Sequence, residues 1–230
     1  MPANPIKNIY NTLLKEYDFV AHSWWPTTAF KEEEKQFEII IGVILTQNTN
    51  WNNVVKSIRN LKRENLINID GIKSIDKDRL EEIIRPSGFF KQKAAYLKNI
   101  CDFFFENQMA QIIEMDTAKA RALLLDVVGV GKESADSILL YALGHPVFVI
   151  DAYTKRIAQR MNLLDYCNTD KYDYDTLQKC FEENLKKDVD LFRKYHGLIV
   201  EHAKKHCRKK PLCDGCVLRE KCSAKTKKLK

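Results

Sequence analysis

Four cysteines crowd the last 24 residues of this 230-residue chain, Cys207, Cys213, Cys216 and Cys222, in the pattern C-x5-C-x2-C-x5-C directly after a helical stretch. Four soft thiolates suit an iron-sulfur cluster or a structural zinc. Zinc ribbons and knuckles usually pair two close Cys-x-x-Cys turns, and this segment has one such turn between two long arms, so the spacing favours [4Fe-4S] with zinc as the alternative. A second constellation runs from Leu123 to Ser137, where Gly129-Val130-Gly131 separates two helical stretches, the second opening Lys132-Glu133-Ser134. The glycines permit positive φ and close approach of backbone N–H groups to a phosphate, and the following helix offers its positive end to the same anion. A helix C-cap followed by an ordinary turn is the plainer reading of the same residues. About twenty residues on, the apolar run Pro146 to Ile150 ends in Asp151, placed as an N-cap for the helix beginning Ala152-Tyr153.

Such groups need a scaffold, and the periodicity predicts one that is all-α. Candidate helices cover residues 5–17, 32–47, 52–62, 76–85, 91–106, 116–127, 132–143, 151–163, 174–185 and 187–205. Asp76 and Asp116 precede two of them as cap residues, while Pro86-Ser87-Gly88 and Gly129-Val130-Gly131 end the helices before them. Ile39 to Leu45 is apolar enough for a buried strand, but its flanks continue a helical pattern without turn signals, so it reads as a buried helix. With no Pro/Gly-rich linker or repeat in view, a second lobe must come from the two chain ends packing together. The expected organisation is therefore a central helical lobe over residues 29–142, and a second lobe from 1–28 plus 143–230 that carries the cysteine loop 207–222.

Composition narrows the class. At 45% hydrophobic and 30% charged residues the chain reads as an ordinary soluble enzyme, and its longest aliphatic run is too short to span a bilayer. The net charge of +7 is uneven, because residues 203–230 carry eleven Lys or Arg against Asp214 and Glu220. That tail is either a handle on a phosphate backbone or a solvated lysine tail. The start lacks a signal pattern, so a cytoplasmic, nucleoid-associated location is expected, with the seven cysteines reduced rather than bridged.

The glycine-hinged hairpin followed by an apolar stretch and Asp151 resembles the helix-hairpin-helix plus Gly/Pro-rich loop and Asp signature of the endonuclease III superfamily of DNA glycosylases. The resemblance implies two helical lobes with the hairpin at their interface, double-stranded DNA containing a damaged base as partner, a monomer, and Asp151 as the catalytic carboxylate. It implies that Gln47, in Leu45-Thr46-Gln47-Asn48-Thr49, fills the gap left by an extruded base, and that Phe89 or Phe90 wedges the opposite strand. Gly129, Val130, Gly131, Lys132 and Ser134 would hold the backbone, with Arg208, Lys209 and Lys210 beside the cluster loop. The superfamily's iron-sulfur pattern is C-x6-C-x2-C-x5-C, so the first arm here is one residue short.

Glu133 departs from one branch of that superfamily. Members that are both glycosylase and lyase carry there a lysine amine that attacks the sugar, which a carboxylate cannot do. The pattern predicts a monofunctional enzyme using water. Trp24-Trp25-Pro26, Gln47, Arg85-Pro86-Ser87-Gly88-Phe89, Glu133 and Tyr195-His196-Gly197 together look most like the 3-methyladenine glycosylase subgroup, and so imply a pocket of Trp24, Trp25, Pro26 and Trp51 for a cationic alkylated purine, with Glu133 complementing its charge. Two other readings compete. A mismatch or oxidised-base glycosylase uses the same scaffold, and a non-catalytic iron-sulfur DNA-binding protein would need only the hairpin and the basic tail.

Overall fold

The computed structural model describes residues 4–17, 32–167, 169 and 171–226, and every regular element among them is helical. The chain divides into two compact units, Trp25–His145 and Met1–Trp24 with Pro146–Lys230. Among the described residues, the first unit holds eight α-helices: α2 Glu32–Thr46, α3 Trp51–Arg63, α4 Ile69–Ser74, α5 Lys77–Ile84, α6 Phe90–Glu106, α7 Met109–Ile113, α8 Thr117–Leu125 and α9 Lys132–Ser137. In the second, α1 Pro5–Glu16 packs with α10 Ala152–Arg160, α11 Leu163–Tyr166, α12 Tyr174–Asn184 and α13 Val189–Lys205.

Side-chain caps set most of the starts. Asp76 accepts from the N–H groups of Asp78 and Arg79, and Asp116 from those of Ala118 and Lys119, so both expected caps form. All ten expected helices are present. The short α4, α7 and α11 were not foreseen, being six, five and four residues long. Helices of one turn or so rest on packing rather than on periodicity, and leave little pattern to read.

The apolar run on α2 is a helix buried on every face, from Phe37 to Leu45, which puts it at the centre of its unit. Even Glu38 is buried, its carboxylate 2.8 Å from the Lys62 ammonium. α9 continues as a π-helical turn, Ile138–Ala142, whose residues are all buried. In the other unit Phe148, Phe181, Phe192 and Tyr195 form one aromatic cluster, with Phe148 stacked on Phe181 at 4.6 Å and the Tyr195 hydroxyl donating to the Ile6 carbonyl. The first helix and the last third of the chain thus share a core.

One expectation about cysteine is corrected. Cys167, just after α11, and Cys180, on α12, form a disulfide, with Cα atoms 5.5 Å apart. That separation suits a bridge, and the intervening loop hides the proximity in sequence.

Candidate functional site

Asp151 is set in place by the extended segment before it. Pro146–Ile150 joins no sheet, so its backbone groups need other partners, and α12 supplies them. Glu182 accepts from the Phe148 N–H at 2.8 Å and Gln178 donates to the Phe148 carbonyl at 2.8 Å. The chain then enters α10 with Asp151 as N-cap, its Oδ1 accepting from the Thr154 N–H at 2.7 Å. Its Oδ2 lies 3.6 Å from Nε2 of His196 on α13. Burial alone would raise this carboxyl. The His196 contact and the Thr154 N–H outweigh it, and the pKa falls below the ordinary carboxylate value. Asp151 is therefore an anion at neutral pH despite being 9% exposed.

The hairpin belongs to the other unit. Gly129 has φ +101° and a Cβ there would sit 2.3 Å from the Tyr96 ring, so both the conformation and the space demand glycine. Gly131 differs from the expectation. Its φ is −90°, which any residue adopts, and a Cβ there would meet nothing within 4 Å. No side chain caps the start of α9. Val130 is buried and anchors the turn, as is Ser134, while Lys132 and Glu133 are exposed on the first turn of α9. Behind the hairpin, Arg121 of α8 grips the fully buried Asp136 through Nε and Nη2 at 2.7 and 3.1 Å, which ties the two helices together.

Gln47 is engaged with this hairpin. Its Nε2 donates to the Gly129 carbonyl at 2.9 Å and to the Ser134 Oγ at 3.0 Å, and the exposed Asn48 beside it has φ +54°. Of the two wedge candidates, Phe90 is half-buried with the Arg85 guanidinium 4.9 Å from its ring. Phe89 is 64% exposed and left-handed, at φ +46°. A bulky residue in that region is strained, and strain of this kind gathers at functional loops. Trp51 is half-buried as the first residue of α3. Trp24, Trp25 and Pro26 lie outside the described residues.

All four C-terminal cysteines are free thiols, and they border one cavity together with His202, His206 and the apolar side chains of Ile157, Leu212 and Leu218. Burial pushes the Cys216 thiol up, the Leu218 N–H opposes it, and the other three sulfurs add to the rise. Among the described residues, no three His, Cys, Asp or Glu side chains converge as they would on a single ion. Arg160 reaches Cys207 Sγ at 3.0 Å, Arg156 donates to the Cys207 carbonyl, and Arg208, Lys209 and Lys210 are exposed. Burial and the neighbouring His206 bring His202 down to about 4, leaving a neutral imidazole 3.5 Å from Cys216 Sγ and 2.9 Å from the Tyr17 hydroxyl.

A profile of the HhH-GPD superfamily base excision DNA repair proteins matches residues 41–183. The chain belongs to that superfamily. The HhH-GPD chain is 46% identical over 231 residues to "Putative DNA repair glycosylase MJ1434" of Methanocaldococcus jannaschii, covering 98% of itself and 100% of the relative. It is 28% identical to endonuclease III of Sulfolobus acidocaldarius over 93% of each chain. Among solved structures it is similar to the H. pylori 3-methyladenine DNA glycosylase MagIII bound to 1,N6-ethenoadenine, with a TM-score of 0.68, 32% identity, and 86% and 96% of the two chains covered. The HhH-GPD protein is thus a DNA glycosylase of base excision repair, with DNA as its partner. No helix among the described residues is long and apolar enough to cross a membrane.

Sequence assigns no individual role to His196, in Tyr195-His196-Gly197, or to Lys93, near the end of the segment that begins Arg85-Pro86-Ser87. Only packing reveals that both are buried, at 4% and 2% exposure.

Proposed function

We propose that this glycosylase hydrolyses the N-glycosidic bond of an alkylated purine such as 3-methyladenine and leaves the abasic strand uncut. The observation that carries the reading is the ionised, buried Asp151, set at a helix start and approached by His196. Alkylation makes the purine cationic. When its glycosidic bond breaks, the electron pair leaves with the base, which departs neutral, and the positive charge passes to the sugar. A carboxylate held as an anion stabilises that sugar cation and orients the water that adds to the anomeric carbon. Because the Asp151 pKa is low, its contribution is electrostatic more than proton abstraction, and the water proton is released to solvent. A leaving group of this kind needs little acid assistance.

The absence of an amine at position 133 supports hydrolysis over lyase chemistry, and the similarity to the 3-methyladenine DNA glycosylase MagIII, whose structure holds 1,N6-ethenoadenine, supports a modified purine as substrate. Half-buried Trp51, with Trp24, Trp25 and Pro26, would stack on the base, and exposed Glu133 would complement its charge. The open side of Gly131, the uncapped start of α9 and Lys132 would take a phosphate, Gln47 and Phe89 would enter the duplex, and Arg208, Lys209 and Lys210 would meet the backbone.

The thiols fit a [4Fe-4S] cluster. A four-iron cluster takes one thiolate at each of its corners, and the four cysteines, spaced as one close Cys-x-x-Cys turn between two long arms, border one cavity. When bound, the cluster would supply a rigid support for the 207–222 loop. Purified protein should carry about four irons per chain on this reading, and stoichiometric zinc would reverse it.

Incubation with methylated duplex DNA tests the activity. Free 3-methyladenine should appear, strands should break only after alkali, and borohydride should trap no protein–DNA adduct. A trapped adduct, or release confined to mismatched or oxidised bases, would overturn the proposal.

A further inference from the structure

Lys93 occupies a position where an aliphatic residue would be the inexpensive choice. It is 2% exposed, its ammonium donates to the Leu45 carbonyl at 2.8 Å and the Ser87 carbonyl at 2.7 Å, and among the described residues no carboxylate pairs with it. A buried ammonium lacking a counter-ion opposes folding, so its retention calls for a reason beyond stability. The two carbonyls supply one. Leu45 lies at the end of α2, two residues before Gln47, and Ser87 lies two residues before Phe89. Each root leads to a left-handed tip, Asn48 at φ +54° in the first loop and Gly88 and Phe89 at +66° and +46° in the second.

The same helix reaches the hairpin. Tyr96 fills the space beneath Gly129, and Asn99 donates to the carbonyl of Val128, which is itself 71% exposed. Positions 93, 96 and 99 follow one another at three-residue steps on α6, so a single helix touches all three loops. The Gln47 hydrogen bond to the Gly129 carbonyl joins the first loop to the third.

We propose that Lys93 is a positioning residue for base extrusion, its buried ammonium fixing the Gln47 loop and the Phe89 loop relative to each other so that the two side chains enter the duplex in one step. The proposal rests on the reading that Gln47 and Phe89 are the inserting residues. An ammonium suits the task because it donates to two backbone carbonyls from separate segments at once, which no apolar side chain can do.

Stopped-flow fluorescence on full-length protein tests this. The probe is a duplex with a tetrahydrofuran abasic analogue flanked by 2-aminopurine, which brightens on unstacking whatever base the enzyme excises. Lys93→Met should slow the fluorescence rise by about tenfold. Affinity for an undamaged duplex, set by phosphate contacts, should stay within about twofold. In the Lys93→Met background, Phe89→Ala should cost much less than in the native protein, because the wedge is no longer aimed. Lys93→Gln, which keeps two N–H donors, should recover part of the rate, and it carries the same comparison if the methionine variant fails to fold. Equal losses in unstacking and in undamaged-duplex affinity would reduce Lys93 to a structural role and overturn the proposal. So would a full, independent Phe89→Ala effect in the Lys93 variant. If Phe89→Ala and Gln47→Ala leave unstacking unchanged in the native protein, it is the insertion reading that fails.

Discussion

Two helix starts in this protein handle the same electrostatic problem in opposite ways. The start of α9 has Gly131 as its cap, no side-chain acceptor, and open space where a Cβ would be. The start of α10 has Asp151, whose own oxygen takes the Thr154 N–H, in a buried setting approached by His196. A helix N-terminus capped by its own carboxylate has less to offer an outside anion than one with no side-chain cap. On the proposed reading, the first would hold a phosphate from outside, while the second holds its own carboxylate from inside. Binding and bond cleavage would then fall to different helix starts, in different units of the chain.

The contrast can be broken at the glycines and at the histidine. The largest stability effect is expected from Gly129→Ala, because the new methyl meets the Tyr96 ring in a backbone region that disfavours side chains. A loss of about 2–3 kcal/mol, read from urea unfolding, would accompany loss of DNA binding. A variant as stable as the native chain would remove the distinction between the two glycines.

Next comes His196→Gln. Burial would then raise Asp151 with less to oppose it, so the acid limb of the single-turnover rate should move to higher pH, and the rate near neutrality should fall by about tenfold or more. The sign follows from linkage. A depressed carboxylate contributes stability above its unfolded pKa that disappears as pH falls through the folded value, and removing His196 moves that loss upward in pH. An unmoved acid limb would mean that His196 only fills space.

The smallest effect is expected from Gly131→Ala. Its φ is ordinary and its surroundings are empty, so unfolding should be unchanged within about 0.5 kcal/mol, while DNA affinity drops a few-fold as the methyl obstructs the phosphate. Unchanged affinity would remove the proposed phosphate contact.

The helices were legible because their signals are local. Asp76 and Asp116 announce their caps, and the apolar run of α2 has no turn residues to stop it. Asp151 was legible as a cap for the same reason. Its second oxygen was not, since the partner is 45 residues away on α13, and nothing in Tyr195-His196-Gly197 distinguishes a buried histidine from an exposed one. The G-x-G pattern likewise suggested two equivalent glycines, although Tyr96 makes only the first of them obligatory. Sequence does not separate the exposed Phe89 from the half-buried Phe90 beside Arg85, and the Cys167–Cys180 bridge required the approach of two helices. In each case sequence gave the residue type and tertiary packing decided its surroundings.

The account turns on the Asp151 charge, and Asp151→Asn removes it while keeping the shape and the cap acceptor. Measured in single turnover on methylated duplex, base release should fall by about 100-fold to 10,000-fold while the affinity for a duplex holding an abasic-site analogue stays within a few-fold. Release at the native rate by the asparagine variant would contradict the account.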